Sequence, residues 1–140
     1  MLNQPLKSLE STADVVLTEP RTSVAEAAAL MLARRVAAVL VVDAGALVGI
    51  FTEHDIASRV VATGRDPQAV EVGDVMTREV LTADPDSTLG HALVLMHKHA
   101  IRHLPVLENG TPVGIVCARD ALDPALEDFI AESRRRESFS

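Results

Sequence analysis

The sequence predicts an α+β fold: a tandem pair of β-α-β-β-α units related by pseudo-two-fold symmetry. Three observations predict it. Residues 49–55 read GIFTEHD, and 65 positions later residues 114–120 read GIVCARD. Laid over one another without a gap, Val15–Asp55 and Val80–Asp120 agree at 11 of 41 positions, among them Pro20, Leu30, Met31, Gly49, Ile50 and Asp55. Self-similarity at a fixed offset marks a duplicated supersecondary unit. Two copies are too few for a solenoid, so the halves are expected to pack face to face. Finally, the chain is 48% hydrophobic but only 2% aromatic, with no Trp and no Tyr. Its core must therefore be built from Val, Leu, Ile, Ala and Met. With 140 residues it can form one compact domain or two small halves sharing a core.

Each copy follows the same order. A short extended piece comes first, Val15–Thr18 and Val80–Ala83, followed by a turn at Pro20 or Pro85. A helix begins next. Ser23 with Glu26 three residues on forms a capping-box pattern, and Val24, Ala27, Ala28 and Met31 fall on one face. In the second copy Thr88 is the cap, and Leu89, Ala92, Leu93 and Met96 make the matching stripe. The methionines read as core filling. Two strands follow: Val36–Asp43 and Leu47–Phe51 around Ala44-Gly45, then Leu104–Leu107 and Val113–Val116 around Asn109-Gly110. A helix starts after each second strand. Between the copies, 63–73 carries Gly64, Pro67 and Gly73 and reads as a connector. Beyond Asp123-Pro124 a polar helix is expected to run to the charged end SRRRESFS. The expected units are thus 8–66 and 74–128, with a polar helix or tail over 129–140.

Composition narrows the function. A formal net charge of −7 disfavours a broad surface for a phosphate backbone, and the lack of aromatics disfavours single-stranded nucleic acid. Cys117 is the one cysteine, so neither an intramolecular disulfide nor a multi-cysteine metal site is available, which fits a reducing compartment. The first residues, MLNQPLKSLESTAD, lack an apolar signal core, and no apolar run approaches the roughly 20 residues of a membrane span. These features lead to the expectation of a soluble cytoplasmic protein that binds neither nucleic acid nor membrane.

The recurring motifs are DVMT at 74–77, Pro20-x-x-Ser23-Val24 and Pro85-x-x-Thr88-Leu89, Leu-Met at 30–31 and 95–96, IRHLPVLENG at 101–110, and Gly-Ile-x-x-x-x-Asp twice. In this order, and duplicated in register, they make each copy resemble a CBS domain, named for cystathionine beta-synthase. The pair resembles a Bateman module, over roughly residues 10–125 of the chain, as in small stand-alone CBS-domain proteins. The resemblance implies two copies sharing a sheet interface and two clefts. Such clefts commonly bind AMP, ADP or ATP, and less often S-adenosylmethionine or NAD. It also implies a regulatory role, a flat homodimer, and an unidentified protein that the module regulates.

The candidate ligand residues are Thr52, Asp55, Arg102, His103, Arg119, Pro105 and Asp120. An ionised carboxylate can accept from both hydroxyls of a ribose, and such charge-assisted bonds are short and strong. Asp55 is placed for this, with Thr52 adding a hydroxyl. Thr52-x-x-Asp55 fits equally well an N-cap and its reciprocal partner. The second copy keeps Asp120 but has Cys117, a poor cap, in place of Thr52, which the cap reading explains less well. Arg102 offers a planar fork suited to phosphate, and His103 can donate or carry charge. An ordinary exposed strand end is the alternative there. By the resemblance the sites cross the halves. Asp55 and Thr52 would share a cleft with Arg102, His103 and Arg119. Asp120 and Cys117 would share the other with Ala37, Ala38 and His54, a poorer site. Ala100, Leu104, Pro105 and the two first extended pieces are candidates for the adenine slot, or simply core.

Three other functions compete. His99 and His103 are four apart, a spacing that holds zinc on a helix, but Ala100–Arg102 is expected to end that helix. An enzyme built on Cys117 or on Glu53-His54-Asp55 lacks a visible positioned base and oxyanion site, so no catalytic residue or required cofactor is assigned. A ligand-free dimerisation or protein-interaction scaffold is the runner-up.

Overall fold

The computed structural model describes residues 2–9, 15–118 and 132–136. In the first half, β1 (Leu17–Thr18), β2 (Ala38–Asp43) and β3 (Ala46–Thr52) form a sheet in that order, β1 parallel and β3 antiparallel to β2. Helix α1 (Val24–Arg34) connects β1 to β2. After β3 come α2 (Glu53–Asp55), a π-helical stretch Ile56–Val61, and α3 (Val72–Val75). The second half contains α4 (Leu89–Lys98) and the hairpin β4 (His103–Glu108) with β5 (Thr111–Cys117). The helix expected after β5 and most of the C-terminal segment lie outside the described residues.

The duplication holds down to backbone detail. Both long helices are capped by a hydroxyl: Ser23 Oγ accepts from the Glu26 N–H at 3.1 Å, and Thr88 Oγ1 from the His91 N–H at 3.2 Å. Of the predicted stripes, Val24, Ala27 and Met31 are buried in one and Leu89, Ala92 and Met96 in the other, while Ala28 and Leu93 are half-buried. Both are followed by a left-handed residue, Arg35 (φ 55°) and Ala100 (φ 53°). Each hairpin turns on two residues with positive φ, Ala44-Gly45 and Asn109-Gly110, as the right-handed twist of paired strands requires.

The halves differ at the first strand, and the difference has a covalent cause. The Leu40 N–H donates to the Val16 carbonyl at 2.9 Å, which helps to hold β1 against β2. At the equivalent position the second half has Pro105, which carries no N–H. The expected strand Val80–Ala83 accordingly shrinks to a single parallel bridge, Ala83 to Val106. Leu81 is 38% exposed, where its counterpart Val16 is 4% exposed.

Each sheet buries both faces. Side chains alternate along a strand, so successive residues of β2 serve different cores. Val39 and Val41 join Phe51, Val24, Ala27 and Met31 in the core of the first half. Ala38 and Leu40 join Ile50 and, from the other half, Ile115. Leu104, Val106 and Val116 pack with Leu89, Ala92 and Met96 in the core of the second half.

Neither core closes with its own repeat alone. The connector does more than span a gap: Val70, Val72, Val75 and Met76 complete the first core. The N-terminal segment does the same for the second, through Leu6, which is 1% exposed. The two segments dock through equivalent bonds. The Leu6 N–H donates to Ser87 O and the Val72 N–H to Thr22 O, both at 2.8 Å. Lys7 Nζ also donates to Asp86 Oδ1 at 2.6 Å, which raises the Lys7 ammonium above its usual range. Both side chains are exposed, so this pair adds little stability.

Unfolding in urea checks two of these assignments. Leu6→Ala should cost about 2–4 kcal/mol despite lying near the chain end, because it empties a closed core position. Ala44→Asn should stabilise by about 0.5–1 kcal/mol, since Asn tolerates the left-handed region better than Ala and already occupies the matching turn at Asn109. No change at Leu6, or a loss at Ala44, would contradict them.

Candidate functional site

Thr52 ends β3 and caps the helix beyond it. Its hydroxyl accepts from the Asp55 N–H at 3.2 Å and donates to Asp55 Oδ2 at 3.2 Å. Asp55 Oδ2 also accepts from the Thr52 N–H at 3.0 Å, completing a reciprocal capping box. The cap alternative raised by the sequence is therefore realised. It occupies one carboxylate oxygen. The other, Oδ1, lies 3.7 Å from Arg59 Nε, an ion-pair distance, and makes no hydrogen bond among the described residues. Asp55 is 5% exposed. A buried carboxylate with one oxygen committed and one held only by an ion pair retains acceptor capacity for a donor that can reach it.

Sequence reasoning passed over Arg59. Its Nη1 donates to both Val75 O and Met76 O at 3.1 Å, and its Nε faces Asp55. The i, i+4 spacing of Asp55 and Arg59 was the available signal. Its bonds to the carbonyls sixteen and seventeen residues on were not foreseeable from local pattern.

In the second half the register fixes which side chains face the first. The Ala118 N–H donates to Arg102 O at 2.8 Å, so the next pair inward, His103 and Cys117, is a non-hydrogen-bonded pair whose side chains lie close together. Cys117 packs against the cluster of Ala38, Leu40, Ile50 and Ile115. Alternation puts His103 on this same seam-facing side, with Pro105, which is fully buried opposite Ile115. In the first half Ala38 pairs with Thr52, again on the face of Leu40 and Ile50. Thr52 and Ala38 thus present to the seam from one side, and His103 and Cys117 from the other. Arg102 lies one residue outside β4 and is exposed. Arg119 and Asp120 lie outside the described residues. Of the adenine-slot candidates, Leu104 and Val16 are core, Thr18 is 7% exposed, and Ala100 is exposed at the end of α4.

A cavity of about 550 Å³ opens between Lys7, Asp84, Asp86, Ser87, Glu108 and Asn109. It sits at the turn end of β4, opposite the end that carries His103, and none of the sequence-predicted site residues lines it. Among the described residues no group of three or more His, Cys, Asp or Glu could hold a metal ion, and no helix is long and apolar enough to cross a membrane. His99 follows α4 while His103 opens β4, so the two do not share a helix.

The family model of the CBS domain matches this chain twice, over residues 6–62 and 72–127. The chain belongs to the CBS domain family. Its CBS pair is 40% identical over 109 residues to the CBS domain-containing protein YhcV of Bacillus subtilis, covering 78% of this chain and 77% of that one. It is 43% identical over 106 residues to CBSCBSPB2 of Arabidopsis thaliana, covering 72% of this chain but only 20% of that longer one. Among solved structures, a CBS-domain protein of Agrobacterium tumefaciens superposes with a TM-score of 0.80 at 34% identity, covering 87% of this chain and 99% of that one. The CBS domain pair of protein MJ0100, solved in complex with 5′-methylthioadenosine and S-adenosyl-L-methionine, superposes with a TM-score of 0.76 at 26% identity over 93% and 98% of the two chains.

The capping box makes a stability prediction. Asp55→Ala should lower the unfolding free energy by about 1–2 kcal/mol, and Asp55→Asn, which keeps an acceptor for the Thr52 N–H, by less. Equal losses in urea titrations of the two variants would mean that the cap is not what Asp55 contributes.

Proposed function

We propose that this CBS pair is a regulatory module that senses an adenosine-containing ligand, with AMP, ADP or ATP preferred, bound across the seam between the halves. The observation that carries the reading is the divided Asp55 carboxylate. Oδ2 is consumed by the cap, while Oδ1 keeps lone pairs for the vicinal hydroxyls of a ribose. Thr52, bonded to the same carboxylate, stands beside it. From the second half, His103 faces the seam by register, and Arg102 next to it supplies a fork that suits a phosphate. Arg119, Asp120 and Pro105 complete the proposed set, Pro105 as part of the wall. The adenosine compounds in the MJ0100 complex support the ligand class.

Recognition split between two bodies makes a sensor. A ligand that touches both halves shifts their relative arrangement, or that of two paired chains, by its differential affinity for the two states, and a regulated protein reads the change. No catalytic step is needed, and the reading assigns none.

Calorimetry with AMP, ADP, ATP and adenosine tests it. Wild type should bind the nucleotides, and Asp55→Asn should weaken all of them about tenfold or more, the worth of a hydrogen bond to a charged acceptor. Arg102→Ala and His103→Ala should weaken AMP while sparing adenosine. An absence of binding to these compounds and to S-adenosylmethionine would overturn the reading and leave a ligand-free dimerisation scaffold.

A further inference from the structure

We propose that Arg59 is a coupling residue that makes the segment 75–77, and through it the seam between the halves, respond to the charge state of the Asp55 carboxylate. One guanidinium joins two places far apart in sequence. Its Nε stands 3.7 Å from Asp55 Oδ1, and its Nη1 donates at 3.1 Å to the carbonyls of both Val75 and Met76. Those carbonyls belong to backbone that is packed tightly against β3. Met76 lies across the strand so closely that a Cβ at Gly49 would collide with its Sδ. Thr77 and Ile50 exchange both backbone hydrogen bonds, each at 2.9 Å. Ile50 in turn packs against Ile115 of the second half. From the carboxylate to the seam the path is therefore Asp55, Arg59, the 75–76 carbonyls, the Thr77–Ile50 pair, Ile115.

The same geometry sets the direction. Oδ2 is tied into the cap, so Oδ1 is the oxygen that both Arg59 and an incoming donor must share. A hydroxyl donating to Oδ1 withdraws part of the negative charge that holds the guanidinium. The fork then slackens on the 75–76 carbonyls, and the Thr77–Ile50 pair opens more often. Asp55→Asn removes the same charge without any ligand and should act alike. Arg59 is half-exposed, so the effect is modest. The ligand-driven half of this inference rests on the adenosine reading, whereas the coupling itself does not.

Amide hydrogen exchange followed by NMR separates the two. In ligand-free protein, Asp55→Asn should speed exchange at Thr77 and Ile50 about two- to fivefold, measured against the Leu6 amide in the other half, which docks on Ser87. In an Arg59→Met background, which keeps most of the aliphatic stem, Asp55→Asn should add no acceleration at Thr77 and Ile50 beyond that at Leu6. Arg59→Lys serves if Arg59→Met fails to fold, since it cannot make the same fork. AMP added to wild type should speed exchange at Thr77 and Ile50 in the same sense, and in Arg59→Met it should bind without doing so. A local excess at Thr77 and Ile50 in Asp55→Asn that survives loss of Arg59, a change there no larger than at Leu6, or no change at Thr77 would each overturn the coupling. If wild type binds no AMP, the ligand reading fails, and the ligand-free comparison still decides the role of Arg59.

Discussion

Each small sheet in this molecule has two apolar faces to bury, and its architecture answers that constraint. One face of β2 and β3 takes α1, and the other meets the second half at Ala38, Leu40, Ile50 and Ile115. Because side chains alternate, a strand that feeds both cores must be apolar at nearly every position, as Ala38–Val41 is. The helices alone do not close the cores, so each half borrows a segment, Leu6 in one case and Val72 to Met76 in the other. Burial of the inner faces is also what brings the ends of β3 and β5, with the start of β4, to one seam. The candidate chemistry lies there because the strands end there.

Asp55 shows how a structural role and the proposed binding role are compatible in one group. Burial of an ionised carboxylate is costly unless its lone pairs are used. The cap uses Oδ2, Arg59 balances the charge from the side of Oδ1, and the group stays 5% exposed. A carboxylate held this firmly presents its remaining oxygen in one orientation, so a ligand hydroxyl need not order it. The cap and the proposed ribose site are therefore compatible with the same geometry.

Much of this was legible in the sequence. The gapless repeat, the capping hydroxyls Ser23 and Thr88, the Ala44-Gly45 and Asn109-Gly110 turns and the buried helical stripes all obey local rules, and the structure has them. What escaped was set by distant parts of the chain. Leu6 carries no local mark of a core residue for the second half. Val80–Ala83 looks like Val15–Thr18, yet the missing N–H of Pro105 deprives it of a partner bond. The helix after β3 winds as a π-helix over Ile56–Val61, and from within that stretch Arg59 reaches across to Val75 and Met76. Arg59 itself reads as one more basic residue on a polar helix until those carbonyls are in view.

The central claim is that Oδ1 of Asp55, the oxygen outside the cap, reads the hydroxyls of a ribose. The most direct measurement compares the affinities of AMP and 2′-deoxy-AMP by calorimetry, on wild type and on Asp55→Asn. Wild type should prefer AMP by about tenfold or more, the worth of a hydrogen bond to an ionised acceptor, and the preference should vanish in the variant. Equal affinity of wild type for the two nucleotides, or a preference that persists without the carboxylate, would contradict it.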